Sequence, residues 1–201
     1  MWEELPYRVT LLGVLASVMS VGVPFRLRAA ASGEIISRRA EGYLFAFVLR
    51  LGGLGLWLAT LHYLVHPASA TWFRLPLPPS VRWLGAVSGL ASTGLMYWTL
   101  ASLGPNLTDT VVVRSQATLI THGPYRWVRH PFYLTAALLM GSVTLLTAQG
   151  LIAVTSLWVL LLLAVRTPKE EAHLEARFGE AYRNYAAVTG RFWPRWPRRP
   201  H

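Results

Sequence analysis

The 201-residue sequence contains no cysteine. That excludes a disulfide scaffold, a thiolate metal site and a cysteine nucleophile. Charge is also scarce: 14% of residues are charged and 53% are apolar. Such a balance excludes a disordered chain and argues against a water-soluble globule, and the mean hydropathy of +0.38 points the same way. Lysine is nearly absent, with Lys169 the single one among 19 basic residues, against nine acids. In a soluble chain a net charge of +10 would suggest nucleic acid. In an apolar one it suggests a surface facing anionic lipid, so membrane lipids are the expected partner and nucleic acid is not. No GxGxxG follows a strand, there is no P-loop, and no His/Asp/Glu set has metal spacing, so no metal is expected. Nothing resembles a pore or a transport repeat.

What is present is a series of apolar runs. About 20 apolar residues cross the hydrocarbon of a bilayer. Tyr7–Phe25, Tyr43–Val65, Val81–Leu103 and Pro131–Ala148 each approach that length, and a shorter run follows at Leu151–Val165. The last two are separated only by Gln149-Gly150 and read as a tight helical hairpin. The fifth run covers only roughly 22 Å as a helix, so it must leave the bilayer early or have its polar end shielded by protein. The expected fold is therefore all-α: a polytopic membrane protein with about five transmembrane helices.

Glu3 and Glu4 precede the first run where a signal peptide would carry basic residues, so that run reads as a retained span. With the C-terminus inside, five spans put the N-terminus outside. The inner segments then carry 15 of the 19 basic residues, including Arg26, Arg28, Arg38, Arg39, Arg114, Arg126, Arg129 and everything from Arg166 onward. The outer segments carry Arg8, Arg74 and Arg82, so the positive-inside rule supports this orientation. Gly85-xxx-Gly89 with Thr93 makes a small-residue ridge that allows close helix approach. It serves packing within the chain or a dimer seam, the former preferred, and oligomeric state stays open. Arg50 and His62 are polar within a span and invite a functional question, although Arg50 can snorkel.

Two stretches look chemical. Between the third and fourth runs lies Gly104–His130. It contains Asp109, Thr110 and an extended-looking Val111–Val113, and ends Gly123-Pro-Tyr-Arg-Trp-Val-Arg-His-Pro-Phe-Tyr133. Gly123-Pro124 marks a turn, and Pro131 suits the first turn of a helix. The alternative is an interfacial belt of aromatic and arginine residues. After the fifth run, Thr167-Pro168-Lys169-Glu170 matches a capping box and so a helix start. Leu174, Phe178, Tyr182 and Tyr185 then follow at one-face spacing, an amphipathic helix. Without a break there, Arg166 and Glu170 would stack on one face at i and i+4. The sequence leaves both arrangements open.

Gly123-Pro-Tyr125-xxx-Arg129-His-Pro-Phe-Tyr133, followed by Glu170-Glu171-xx-Leu174-xxx-Phe178-Gly179-xx-Tyr182-xx-Tyr185, resembles the isoprenylcysteine carboxyl methyltransferase family, which is related to the phospholipid N-methyltransferases. The resemblance covers about 104–194. It implies residues 1–103 as three N-terminal spans and 104–201 as the catalytic half of one integrated membrane domain. The five-span count is similar to prokaryotic members, which implies a bacterial or archaeal inner membrane. The resemblance also implies S-adenosylmethionine (SAM) as methyl donor in a cytoplasmic cofactor pocket. Carried over residue by residue, Thr118, Leu119, Ile120, Tyr125, His130, Pro131, Tyr133 and Glu170 would line the donor, and Arg166 would contact the acceptor. The family often has His where Ala117 stands, Gln where Thr110 stands and Gly where Thr135 stands.

These residue types suit the chemistry. Aromatic faces such as Tyr125, Trp127 and Tyr133 attract a sulfonium. Glu170 can pair with an ammonium and Arg129 with the donor's carboxylate or a lipid phosphate. A guanidinium at Arg166 matches a carboxylate acceptor, which needs no general base. An amine, thiol or hydroxyl acceptor needs one, and the candidates are His130, Glu171, Asp109 and His122. Carboxyl O-methylation of a lipophilic, isoprenylcysteine-like acceptor is the favoured reading, with Arg166 and Glu170 as its catalytic pair. Phospholipid or small-molecule N- or S-methylation is the alternative. An NADPH-dependent sterol-type reductase or a non-catalytic membrane protein are the readings from other classes.

Overall fold

Each apolar run becomes a helix. The computed structural model describes residues 2–30, 43–67, 73–104 and 118–195. In chain order these hold α1 (Leu5–Ala30), α2 (Tyr43–Val65), α3 (Pro79–Leu103), α4 (Pro131–Thr147), α5 (Gly150–Phe178) and α6 (Glu180–Val188), with 3-10 turns at Trp2–Glu4 and Gly123–Arg126. Among the described residues there is no strand, only two isolated bridges. The expected inner loop with Arg38 and Arg39, the Asp109–Val113 piece, Arg114 and Ala117 lie outside the described residues.

Three helices, α1, α2 and α5, are long and apolar enough to cross a membrane by length and composition; α4 is a shorter apolar helix. Their outward faces stay apolar, with Leu12, Leu44, Phe47, Leu54, Leu58 and Leu157 exposed. A lipid environment favours such faces and water does not. One buried cluster joins Tyr7, Leu11 and Val14 of α1 to Tyr63, Val143, Leu146 and Ile152. A second, Met96 with Leu100, packs against Val18, Phe25, Leu103 and Phe132.

The tightest seam is α3 on α4, and small residues make it. A Cβ on Gly85 would stand 2.9 Å from the Ser142 carbonyl, and one on Gly89 would overlap Val14 and Ser142 Oγ. With the backbones that close, hydroxyls reach across. Ser142 Oγ donates to Gly85 O at 2.6 Å, Ser88 Oγ to Leu138 O at 2.7 Å and Ser92 Oγ to Thr135 O at 3.0 Å. The glycine ridge is thus filled from within the chain. Thr135 fits this seam despite its size, since its hydroxyl bonds back to Pro131 O at 3.1 Å.

The α4–α5 hairpin turns at Ala148, a non-glycine residue held at φ 50°. The fifth helix is not short. It runs 29 residues, roughly 43 Å, straight through Pro168. The capping-box reading is therefore corrected. Thr167 is fully buried and its hydroxyl donates to Leu163 O at 2.9 Å, so it back-bonds within the helix and caps nothing. Burial of that turn overrides the local start signal. The chain breaks twelve residues after Thr167, at Gly179 with φ 56°. The single amphipathic helix expected over Leu174–Tyr185 is therefore two, the end of α5 and α6.

At the opposite end of the bundle from the Gly123–Tyr133 segment sits a buried ion cluster that the sequence did not announce. Arg82 reaches Glu4 through both guanidinium arms, at 2.9 and 2.7 Å. It also donates to Leu146 O at 2.6 Å and lies 3.5 Å from the Tyr7 ring centroid. Tyr63 Oη donates to Glu4 at 2.7 Å, and Arg74 pairs with the same carboxylate. Burial alone would raise the Glu4 pKa, but the hydrogen bonds from Arg82, Tyr63 and Arg74 hold it down to about 2. Four helix ends are tied here, leaving the other end of the bundle to open.

Candidate functional site

That other end contains a cavity of about 650 Å³, within the range of small-molecule sites. The residues carried over from the family resemblance line it, together with Arg129. Thr118, Leu119 and Ile120 come from the segment before the 3-10 turn, and Tyr125 from the turn itself. Arg129, His130, Pro131 and Tyr133 come from the start of α4, and Arg166 and Glu170 from α5. Because α5 is unbroken, Arg166 and Glu170 stand one turn apart on one face. Leu174, Phe178, Tyr182 and Tyr185 close the polar end across the Gly179 break.

The two adjacent glutamates have different situations. Glu171 is saturated. Arg129 Nε reaches it at 2.9 Å, His130 Nε2 at 3.2 Å and Arg191 Nη2 at 2.5 Å. Arg129 also donates through Nη1 to the carbonyls of Ala186 (3.0 Å) and Thr189. Much of its guanidinium thus serves to join α4, α5 and the segment after α6. Glu170 instead accepts from Tyr133 Oη at 2.5 Å, with His130 Nδ1 at 3.8 Å, and presents itself to the cavity. The His130 and Tyr133 rings stack at 5.3 Å between centroids. Of the base candidates, Asp109 lies outside the described residues and His122 is exposed on the surface.

The aromatic hydroxyls of the polar end stay protonated. Burial, then the Glu170 charge, pushes the Tyr125 pKa up. Burial pushes Tyr185 up to about 12, and its hydroxyl donates to Tyr125 O at 2.7 Å. Tyr182 Oη is buried and makes no hydrogen bond within the described protein.

The sequence motifs did not reveal the other wall. Val18, Met19, Gly22 and Val23 of α1, Trp57 of α2 and Met96 of α3 line the apolar side, with Arg26 also on the lining. In an all-apolar span no periodic contrast marks a cavity-facing side, so only the i, i+4 placement of Gly22 and Arg26 after Val18 hinted at one face. Trp98 and Trp127, by contrast, pair edge to face at 5.3 Å outside the lining. Trp127 thus packs on α3 and is not one of the residues around the cavity.

A helical bundle with membrane-length helices and a mainly apolar cavity that has a polar end defines a helical integral-membrane protein with a site for a small ligand. Residues 85–176 match the model of the isoprenylcysteine carboxyl methyltransferase (ICMT) family. It is 32% identical over 99 residues to the uncharacterized protein YpbQ of Bacillus subtilis, covering 48% of this chain and 59% of that one. The chain thus spans less than two thirds of that relative's length. Its fold resembles the eukaryotic intramembrane Ras methyltransferase ICMT, with a TM-score of 0.55 and 19% identity, over 92% of this chain and 67% of that one.

Proposed function

We propose that the protein is a SAM-dependent methyltransferase of the membrane, methylating the carboxylate of a lipophilic, isoprenylcysteine-like acceptor. One observation carries the reading: the polar motif residues and the apolar wall of membrane-length helices line a single cavity. A polar donor and an apolar acceptor have adjoining places in it. Five helices would cross the membrane, with the N-terminus outside and the cavity end cytoplasmic.

The polar end fits SAM by the chemistry of its groups. Glu170 offers a carboxylate to an ammonium, and the stacked His130–Tyr133 pair and Tyr125 offer aromatic faces to a cation. The orphaned Tyr182 hydroxyl leaves one polar atom to be satisfied. When bound, SAM supplies a methyl group on a sulfonium, open to in-line displacement. The protein contributes positioning. Arg166, nearer the bundle interior than Glu170, grips the acceptor carboxylate in its fork, one hydrogen bond to each oxygen, and leaves an outer lone pair to react.

The state of Glu171 favours the carboxylate over an amine or thiol. An acceptor that must lose a proton needs a base in the cavity. Glu171 is held by three donors, and His130 Nε2 is committed to it. A carboxylate acceptor arrives already deprotonated. Titrating the purified protein with SAM and with NADPH tests the reading. Saturable SAM binding is expected and none to NADPH; NADPH binding alone would point to the reductase reading.

A further inference from the structure

The segment after α6 lies beyond residues 85–176, where the family model matches, yet it packs against the polar end of the cavity. Thr189–Arg195 crosses the start of α4 as a strap. Gly190 N–H donates to Trp127 O at 3.3 Å, Arg129 N–H to Gly190 O at 2.8 Å and His130 N–H to Arg191 O at 3.1 Å. The strap then turns so tightly that a Cβ on Gly190 would lie 1.6 Å from the Trp193 carbonyl. Arg191 is fixed at Glu171 by a contact of 2.5 Å. Held this way, Phe192 sets its ring against both His130, at 5.8 Å between centroids, and Tyr133, at 6.3 Å. Phe192 does not line the cavity. It backs the two rings that do.

We propose that this strap is part of the donor site and that Phe192 is its positioning residue, fixing the His130–Tyr133 stack for SAM. The inference rests on the methyltransferase reading above. Two rings stacked only on each other can tilt together; a third ring behind them removes that freedom. Tyr133 in turn holds Glu170 through its hydroxyl, so a shift of the stack also moves the carboxylate that faces the cavity. The strap's hydrogen bonds and ring contacts described above go to the Trp127–Tyr133 segment and Glu171, so acceptor binding against the apolar wall depends on it far less than donor binding.

The test measures SAM affinity by calorimetry and acceptor KM by labelled-methyl transfer, in detergent, for the full chain and for Phe192→Ala, Phe192→Tyr and Gly190→Ala. Loss of one aromatic packing contact predicts donor binding roughly five- to tenfold weaker in Phe192→Ala, with acceptor KM within about twofold. Phe192→Tyr should restore donor affinity, and Gly190→Ala should mimic the alanine variant by displacing the strap. Val188→Ala, exposed at the end of α6 and outside the strap, should bind SAM as the unaltered protein does. A Phe192→Ala protein with unchanged SAM affinity overturns the proposal. So does a parallel loss of donor and acceptor binding that tyrosine does not restore, because that pattern marks a merely structural role. If the unaltered protein binds no SAM, the methyltransferase reading itself fails, an outcome separate from both.

Discussion

Arg166 and Glu170 lie one turn apart on an uninterrupted helix, with Pro168 between them, and both line the same cavity. Their difference in height divides their roles. Arg166 is closer to the apolar wall and Glu170 to the aromatic end with Tyr133. Glu170→Gln should weaken SAM binding, while Arg166→Leu should leave SAM affinity within a few-fold and remove turnover. Loss of an Arg–carboxylate contact costs roughly 2–5 kcal/mol, about 30- to 4,000-fold in rate if expressed in the transition state. Arg166→Lys should rescue little, because an ammonium has no fork. Calorimetry and initial rates on the three variants check the division.

Tyr133 and Glu170 share a hydrogen bond of 2.5 Å. Tyr133→Phe keeps the ring stack and removes only that bond. A bond to a charged group contributes about 1.5–3 kcal/mol, so donor affinity should fall by roughly tenfold or more while thermal stability changes little. His130→Ala, which removes the stack, should lower SAM affinity further. Unchanged affinity in both variants would exclude this pocket as the donor site.

At the other end of the bundle, Glu4 and Arg82 form a buried pair that fastens the start of α1 to α3. Glu4→Gln leaves Arg82 buried without its counter-ion, and breaking such a pair costs roughly 3–5 kcal/mol. Thermal unfolding in detergent should show a large loss of stability. The pair also sets a pH dependence. Glu4 is depressed from an ordinary 4.5 to about 2. Its contribution is therefore complete above pH 4.5 and is lost as pH falls through the interval down to 2. An unfolding series across that window should show the drop in the unaltered protein and a flatter curve in Glu4→Gln.

The proposed orientation rests on the basic residues at the cavity end. A reporter fused after His201 should be cytoplasmic, and one inserted at Pro78, in the segment before α3, should face outward. A cytoplasmic signal at Pro78 would overturn the five-span arrangement.

The existence of α1 to α5 was legible because apolar runs need only be counted, although the length of α5 was not. The residues from Tyr125 to Tyr133 were legible because turn chemistry at Gly123-Pro124 and Pro131 grouped them, while Thr118–Ile120, Arg166 and Glu170 were singled out through the family resemblance. Thr167-Pro168-Lys169-Glu170 misled because a local start signal weighs less than burial of Thr167 within α5. The Glu4–Arg82 pair was invisible because its partners are 78 residues apart; Arg82 counted only as a loop charge. The α1 wall was hidden for a related reason: where every side of a helix is apolar, composition cannot mark the side that faces a cavity.

The central claim is methyl transfer to a carboxylate at this cavity. The most direct measurement incubates purified protein with methyl-labelled SAM and an isoprenylcysteine-type thioether acid, beside amine and thiol acceptors of matched chain length. The account predicts label in the thioether acid as a methyl ester, released as methanol by mild alkali, and loss of that label in Arg166→Leu. Alkali-stable label on an amine or thiol, undiminished in Arg166→Leu, would contradict it.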